Sequence, residues 1–332
     1  MIQFDFENPP TRMLTLIVET TTLCSLKCAG CLRTRSEVIG KWVDHHMTAA
    51  QFRRIIDNAP AADAICVQGI GEPTLNPDFP EIVRLARASG KYESIFFSTH
   101  GLARDAGYFE RLVSAGVTSF RVSVDSLDPD NAQRLRAGTD VDKLRRRLVE
   151  FAALKLPFGI SITVSKHNLT ELPDLLGDLN AIGRDHRFVV GMHNFIYNEY
   201  EENVGAPNYA SWVLDLADTR RIASEIDGWR AQFPNLALEY ADYYDGAVNA
   251  EIGICDAPRT MAWIGVDGLW GICCFYPDPK VLGSISIEDN SFNDAWRSAG
   301  AQAVLQNYAV TSPAFCDHCP KNCGRQSTAK GL

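Results

Sequence analysis

Short apolar or alternating runs, LTLIVE (14–19), AICVQG (64–69), SIFFST (94–99), SFRVSVD (119–125), FGISITV (158–164) and RFVVGM (187–192), recur through the first two-thirds of this chain. Between them lie amphipathic stretches such as TAAQFRRIIDNA, FPEIVRLARASG, YFERLVSAG and DKLRRRLVEFAAL. Strands alternating with helices predict βαβ units and a parallel sheet. In parallel barrels, functional groups collect at the C-terminal ends of the strands.

The first run is followed at once by Cys24, Cys28 and Cys31 in CSLKCAGC, which places three thiols in one loop at that end. A structural zinc site wants four ligands, commonly as paired CxxC or HxxxH elements, and no fourth ligand is close; His45 and His46 lie well downstream. A two-cluster ferredoxin would repeat CxxCxxC and end in Cys-Pro, which is absent here. Three thiolates in one loop suit three irons of a [4Fe–4S] cubane, with the fourth iron left open to a small molecule. The ten cysteines gather towards the two ends of a chain with no export signal or membrane-length apolar run. Metal ligation explains them better than disulfides, and the chain is expected in the cytoplasm. Cys66, inside the second run, reads as a core residue.

The formal net charge of −9 argues against an extended nucleic-acid surface. The basic run KLRRR (143–147) reads as the solvated face of a helix whose other side carries Leu144, Leu148 and Phe151.

With its CxxxCxxC at the end of a first strand, the chain resembles the radical S-adenosylmethionine (SAM) superfamily. The resemblance implies a partial (β/α)6 barrel with a small C-terminal α+β iron–sulfur cluster domain. It also implies that the open iron holds the amino and carboxylate groups of SAM, and that the reduced cluster cleaves SAM to a 5′-deoxyadenosyl radical. A flavodoxin or ferredoxin-type electron donor goes with that chemistry. Members often carry an aromatic residue just before the third cysteine, packed on the adenine; here Gly30 stands there. The turn QGIGEPTLNP (68–77) stands where the family has its Gly-Gly-Glu-Pro-like SAM turn, which puts Gly69, Gly71 and Glu72 in that role. Ser123 and Asp125 alternate with apolar residues and so share one sheet face; the resemblance sets Ser123 near the SAM carboxylate or ribose, while a helix cap is the plain alternative. Arg136 is a candidate carboxylate partner through its guanidinium fork. His100 replaces the Asn of the family's Thr-Asn-Gly.

Three segments are expected: a barrel over residues 10–210, a bridging helix over 211–235 and a cluster module over 236–325. The last contains a VDGLWG hairpin at 266–271 and six cysteines. Cys255, Cys273, Cys316 and Cys319 can surround a cluster completely. They resemble the twitch, or shortened SPASM, domain with one auxiliary [4Fe–4S] cluster. Zinc is the alternative for any four-cysteine set, and two clusters are an alternative if Cys274 and Cys323 also ligate.

This arrangement is similar to the radical SAM dehydrogenases of aminoglycoside biosynthesis. The function expected is abstraction of a hydrogen atom from a small polar substrate, an amino sugar or cyclitol, with oxidation of a secondary alcohol to a ketone and the auxiliary cluster as electron acceptor. His193 and Arg259 are nominated to handle the proton. Two alternatives stay open. An epimerase would use Cys274 or Cys323 as hydrogen donor. A maturase would act on a ribosomally made peptide, although a first strand near residue 14 leaves no room for a leader-binding domain ahead of it.

Overall fold

The computed structural model describes residues 7–197, 205–241, 257–272 and 285–310. Strands β1 (Arg12–Val18), β2 (Lys27–Cys28), β3 (Ala61–Cys66), β4 (Tyr92–Thr99), β5 (Ser119–Ser123), β6 (Arg136–Ala137), β7 (Phe158–Val164) and β8 (Phe188–Asn194) fall in the first two-thirds. Helices α1 (Leu32–Val38), α2 (Ala49–Asn58), α3 (Phe79–Ala88), α4 (Ala106–Ala115), α5 (Pro129–Leu135), α6 (Val141–Ala153) and α7 (Leu172–Ile182) alternate with them. After α8 (Leu216–Gln232) come β9 (Leu236–Ala241), α9 (Ala257–Thr260), β10 (Met261–Ile264), β11 (Trp270–Gly271), α10 (Phe292–Trp296) and α11 (Ala299–Val310).

The six strands expected from the sequence form the centre of one sheet in the order β1-β3-β4-β5-β7-β8, all parallel. Local signals explain the helices between them. Thr48 and Gln51 close a capping box at the start of α2, and Asp105 and Asp140 cap α4 and α6 by accepting from Tyr108 N and Lys143 N. The helices bury apolar stripes at i, i+3 and i+4, as with Phe52, Ile55 and Ile56 in α2. Against the sheet they enclose a phenylalanine layer in which Phe109 lies 5.1 Å from Phe120 and 4.8 Å from Phe151. Such ring pairs add about 0.5–1.5 kcal/mol each beyond the area they bury.

Three details depart from the sequence reading. The second strand runs over Ala61–Cys66 rather than 64–69, because Ala61 and Ala62 already pair with Arg12 and Met13 and the glycine-rich turn leaves the ladder early. The basic run of α6 is not wholly a solvated face: Arg147 is only 8% exposed, lies over the Phe151 ring and pairs with Glu150 at 3.4 Å. The sheet is also wider than six strands. β9 continues it in parallel beside β8, and β10 lies parallel to β1 at the other end, with β11 antiparallel to β10. The described sheet thus has nine strands in the order β11-β10-β1-β3-β4-β5-β7-β8-β9.

The expected hairpin is present, with Gly268 at φ +78° at its turn. Trp270 stacks on Trp296 at 5.6 Å, and Asn58 of α2 donates to the carbonyls of Ile287 and Glu288, so the C-terminal elements pack on the barrel helices. Among the described residues no helix is long and apolar enough to cross a membrane.

Candidate active site

The cysteine loop leaves β1 through Thr20, Thr21 and Thr22, all buried. His45 and His46 brace this segment from outside: the His45 carbonyl accepts from Thr22 N at 3.0 Å, and the His46 ring meets Thr21 Oγ1 at 2.8 Å. Cys28 lies in β2, which pairs with β6 so that Cys28 faces Arg136 across the ribbon; Cys31 immediately precedes α1. All three thiols are free and line one cavity of about 790 Å³ at the C-terminal ends of the strands. Gly69, Gly71, Glu72, Ser123, Arg136 and His193 line the same cavity. Residues scattered over 170 positions of sequence are therefore brought together as the strand-end rule predicts.

Each group is held by identifiable contacts. A Cβ on Gly71 would stand 2.3 Å from the Thr21 carbonyl oxygen, and Glu72 N donates to Leu23 O at 2.7 Å. Gly71 thus serves close approach to the chain's own cysteine loop. The buried Glu72 carboxylate accepts from Thr74 Oγ1 at 2.5 Å, Thr99 Oγ1 at 2.7 Å and His100 N at 2.8 Å. His100 accepts at Nδ1 from Leu102 N, which leaves the proton of the neutral ring on Nε2, 3.1 Å from Ser25 Oγ in the cysteine loop. Burial lowers the pKa of His100, with Glu72 opposing.

Asp125 accepts from Thr163 N at 2.8 Å through Oδ1, and its Oδ2 pairs with Arg136 at 3.1 Å. Arg136 therefore has a carboxylate of this chain as its partner and anchors the β2–β6 ribbon over β5. His193 lies within β8 rather than beyond it, with Nε2 3.1 Å from Thr163 Oγ1. Burial lowers its pKa and favours the neutral ring, with Asp125 opposing. Arg259 is not brought to the site: it belongs to α9 and donates to the Asn8 carbonyl at 3.2 Å, outside the cavity lining. Cys255, Cys273, Cys274, Cys316, Cys319 and Cys323 lie outside the described residues. Cys66 is buried, as expected of a core residue, yet it also forms part of the cavity wall.

The sequence did not point to Phe195 or Glu19. Phe195 follows β8, and its ring fills the space over Gly30, where a Cβ would stand 2.4 Å from Cζ. Trp212, 5.9 Å from Phe195, lines the cavity with it, and Trp263 of β10 also contributes to the lining. Glu19, directly after β1, is 6% exposed and accepts from Ile70 N at 2.8 Å. The only sequence signal for it was a lone charge closing an apolar strand.

The donor set fits an iron–sulfur cubane. Among the described residues, no group of three or more His, Cys, Asp or Glu side chains converges to hold one metal ion, whereas a cubane takes its thiolates one to an iron. Burial raises the pKa of the Cys24 thiol and pushes that of Cys28 up to about 12; ligation of a metal would release those protons.

The chain matches the model of the radical SAM superfamily over residues 18–179 and that of an iron–sulfur cluster-binding domain, SPASM, over residues 255–321. The PqqA peptide cyclase of Granulibacter bethesdensis is 28% identical, over 92% of this chain and 79% of its own length. The mycofactocin maturase MftC of Mycobacterium ulcerans is 24% identical, over 98% and 84%. Streptococcus suis SuiB bound to S-adenosylmethionine shares the fold with a TM-score of 0.69 at 16% identity, covering 95% of this chain and 72% of that one. The first domain implies a [4Fe–4S] cluster and SAM, and the second implies auxiliary iron–sulfur clusters. The chain carries a radical SAM domain followed by a SPASM domain and is a radical SAM enzyme.

Proposed function

We propose that this enzyme modifies a ribosomally made peptide. The observation that carries the reading is the similarity, along nearly the whole chain, to a PqqA peptide cyclase and to the mycofactocin maturase MftC. It favours a peptide over the amino sugar or cyclitol expected from the cysteine pattern, and a modification of the peptide over the expected alcohol dehydrogenation. The Phe195–Trp212 pair in the cavity lining suits an apolar or aromatic side chain presented by an extended substrate.

Cys24, Cys28 and Cys31 would hold the [4Fe–4S] cluster, with Gly69, Gly71, Glu72, Ser123 and Arg136 around SAM. When bound, cluster and SAM supply a 5′-deoxyadenosyl radical for hydrogen abstraction. The chain's residues do the positioning. Glu72, Thr99 and His100 lock the SAM turn onto β4, and Asp125 fixes Arg136 over the cysteine loop. Phe195 gives that loop the aromatic face that Gly30 lacks. Neutral His193 faces the cavity as proton acceptor. Cys255, Cys273, Cys316 and Cys319 are assigned to the auxiliary cluster, with Cys274 and Cys323 as further ligands or hydrogen donors.

The test is anaerobic turnover of reconstituted enzyme with SAM, a reductant and a panel of candidate precursor peptides, read by peptide mass. A peptide that loses two hydrogens, or gains a new cross-link, with 5′-deoxyadenosine formed in step supports the reading. Unchanged peptides, alongside oxidation of an amino sugar or cyclitol, would sink it.

A further inference from the structure

Glu19 is a buried carboxylate that the cofactor chemistry leaves without a task. Its Oε1 accepts from Ile70 N at 2.8 Å, inside the SAM turn. Its Oε2 faces Val266 N at 3.4 Å, inside the hairpin between β10 and β11. Its own N–H donates to Ile264 O at 2.8 Å, at the end of β10. A Cβ on Gly69 would stand 2.2 Å from Glu19 Cγ, so glycine at 69 is what lets the turn close over this side chain.

One carboxylate thereby spans two segments distant in sequence. On one side is the turn that carries Gly69 to Glu72. On the other is the hairpin whose outgoing strand leads through Ile272 directly to Cys273, assigned above to the auxiliary cluster. Burying a carboxylate is costly unless hydrogen bonds compensate it, and here the compensating donors belong to two separate elements. Neither amide can shift without weakening its bond to the shared carboxylate.

Resting on the radical SAM reading, we infer that Glu19 is a positioning residue that couples SAM occupancy at the Gly69–Glu72 turn to the placement of the hairpin leading into the C-terminal cluster module. SAM that orders the turn steadies the Ile70 N–H on Oε1, and the same side chain then presents Oε2 to Val266. Such coupling is reciprocal, so release of the hairpin weakens SAM binding by the same factor.

The test is amide hydrogen exchange on reconstituted holoenzyme with and without SAM, for wild type, Glu19→Ala and Glu19→Gln. In wild type, SAM is expected to slow exchange both in 68–72 and in 264–269. In Glu19→Ala the slowing in 264–269 is lost while that in 68–72 is retained in weakened form. Glu19→Gln keeps one acceptor oxygen in a side chain of the same shape, and it should restore the slowing in part while showing that the variants fold. SAM-dependent slowing of the hairpin that persists undiminished in both variants, or its absence in a wild type that binds SAM, overturns the inference. A wild type that does not bind SAM overturns the radical SAM reading along with it.

Discussion

At the scale of single residues, the site depends on side chains whose surroundings set their charge. Burial raises the Glu19 carboxyl from 4.5 to about 7, with Asp267 of the hairpin adding to the effect and the N–H donors of Ile70 and Val266 opposing it. A raised carboxyl pKa means that the stability associated with neutral Glu19 is fully present below the unfolded value near 4.5. It is lost as pH rises to the folded value of about 7, beyond which it levels off. At about 1.4 kcal/mol per unit, the loss between pH 5.5 and pH 7.5 is roughly 2 kcal/mol. Anaerobic urea unfolding of holoenzyme should show wild type losing that much more stability across the interval than Glu19→Gln. Equal pH slopes in the two proteins would contradict the buried-carboxyl account.

Among the elements, the two-residue ribbon of β2 and β6 matters more than its size suggests. It sets Cys28 against Arg136, whose guanidinium is held by Asp125, while Asp125 also receives Thr163 N from β7. Removing the carboxylate strands a mostly buried arginine. Asp125→Ala is expected to cost about 3 kcal/mol and to lower iron retention, whereas Ser123→Ala, on the same cavity wall, should leave iron content unchanged. Iron analysis after gel filtration, together with urea midpoints, checks both. The alternation Arg-Val-Ser-Val-Asp already told which face Ser123 and Asp125 share. It carried no information about which cation Asp125 would meet, because Arg136 returns to the site only after α5 has turned the chain back.

For the whole molecule, the decisive quantity is how iron divides between its two ends. Reconstituted protein with Cys24, Cys28 and Cys31 all changed to Ala should lose about four irons per chain and all SAM cleavage, and keep the iron held by the C-terminal cysteines. Zinc in place of the residual iron would remove the auxiliary cluster as an electron acceptor. The packing supports separate retention of the two clusters. The cysteine triplet hangs on β1 and the ribbon, while β10, β11, α10 and α11 have their own aromatic cluster of Trp270, Phe292 and Trp296. The two regions meet along the β1–β10 pairing, at Glu19, and where Arg54 and Asn58 of α2 reach Ile287 and Glu288.

The sequence by itself determined the alternating architecture, the cysteine loop at the end of β1 and the glycine turn at the end of β3. These are local matters, governed by apolar periodicity, caps and thiol spacing. Tertiary structure alone decided that β10 would lie beside β1, that Phe195 would fill the space over Gly30 and that Glu19 would sit between Ile70 and Val266. Each of these joins residues some 50 to 250 positions apart. Such contacts come from sheet order and from the steric room of one missing Cβ, and neither leaves a periodic trace in the chain. Arg259 shows the same limit from the other side: the sequence nominated it to handle the proton, and its place in α9 sets it against the Asn8 carbonyl instead.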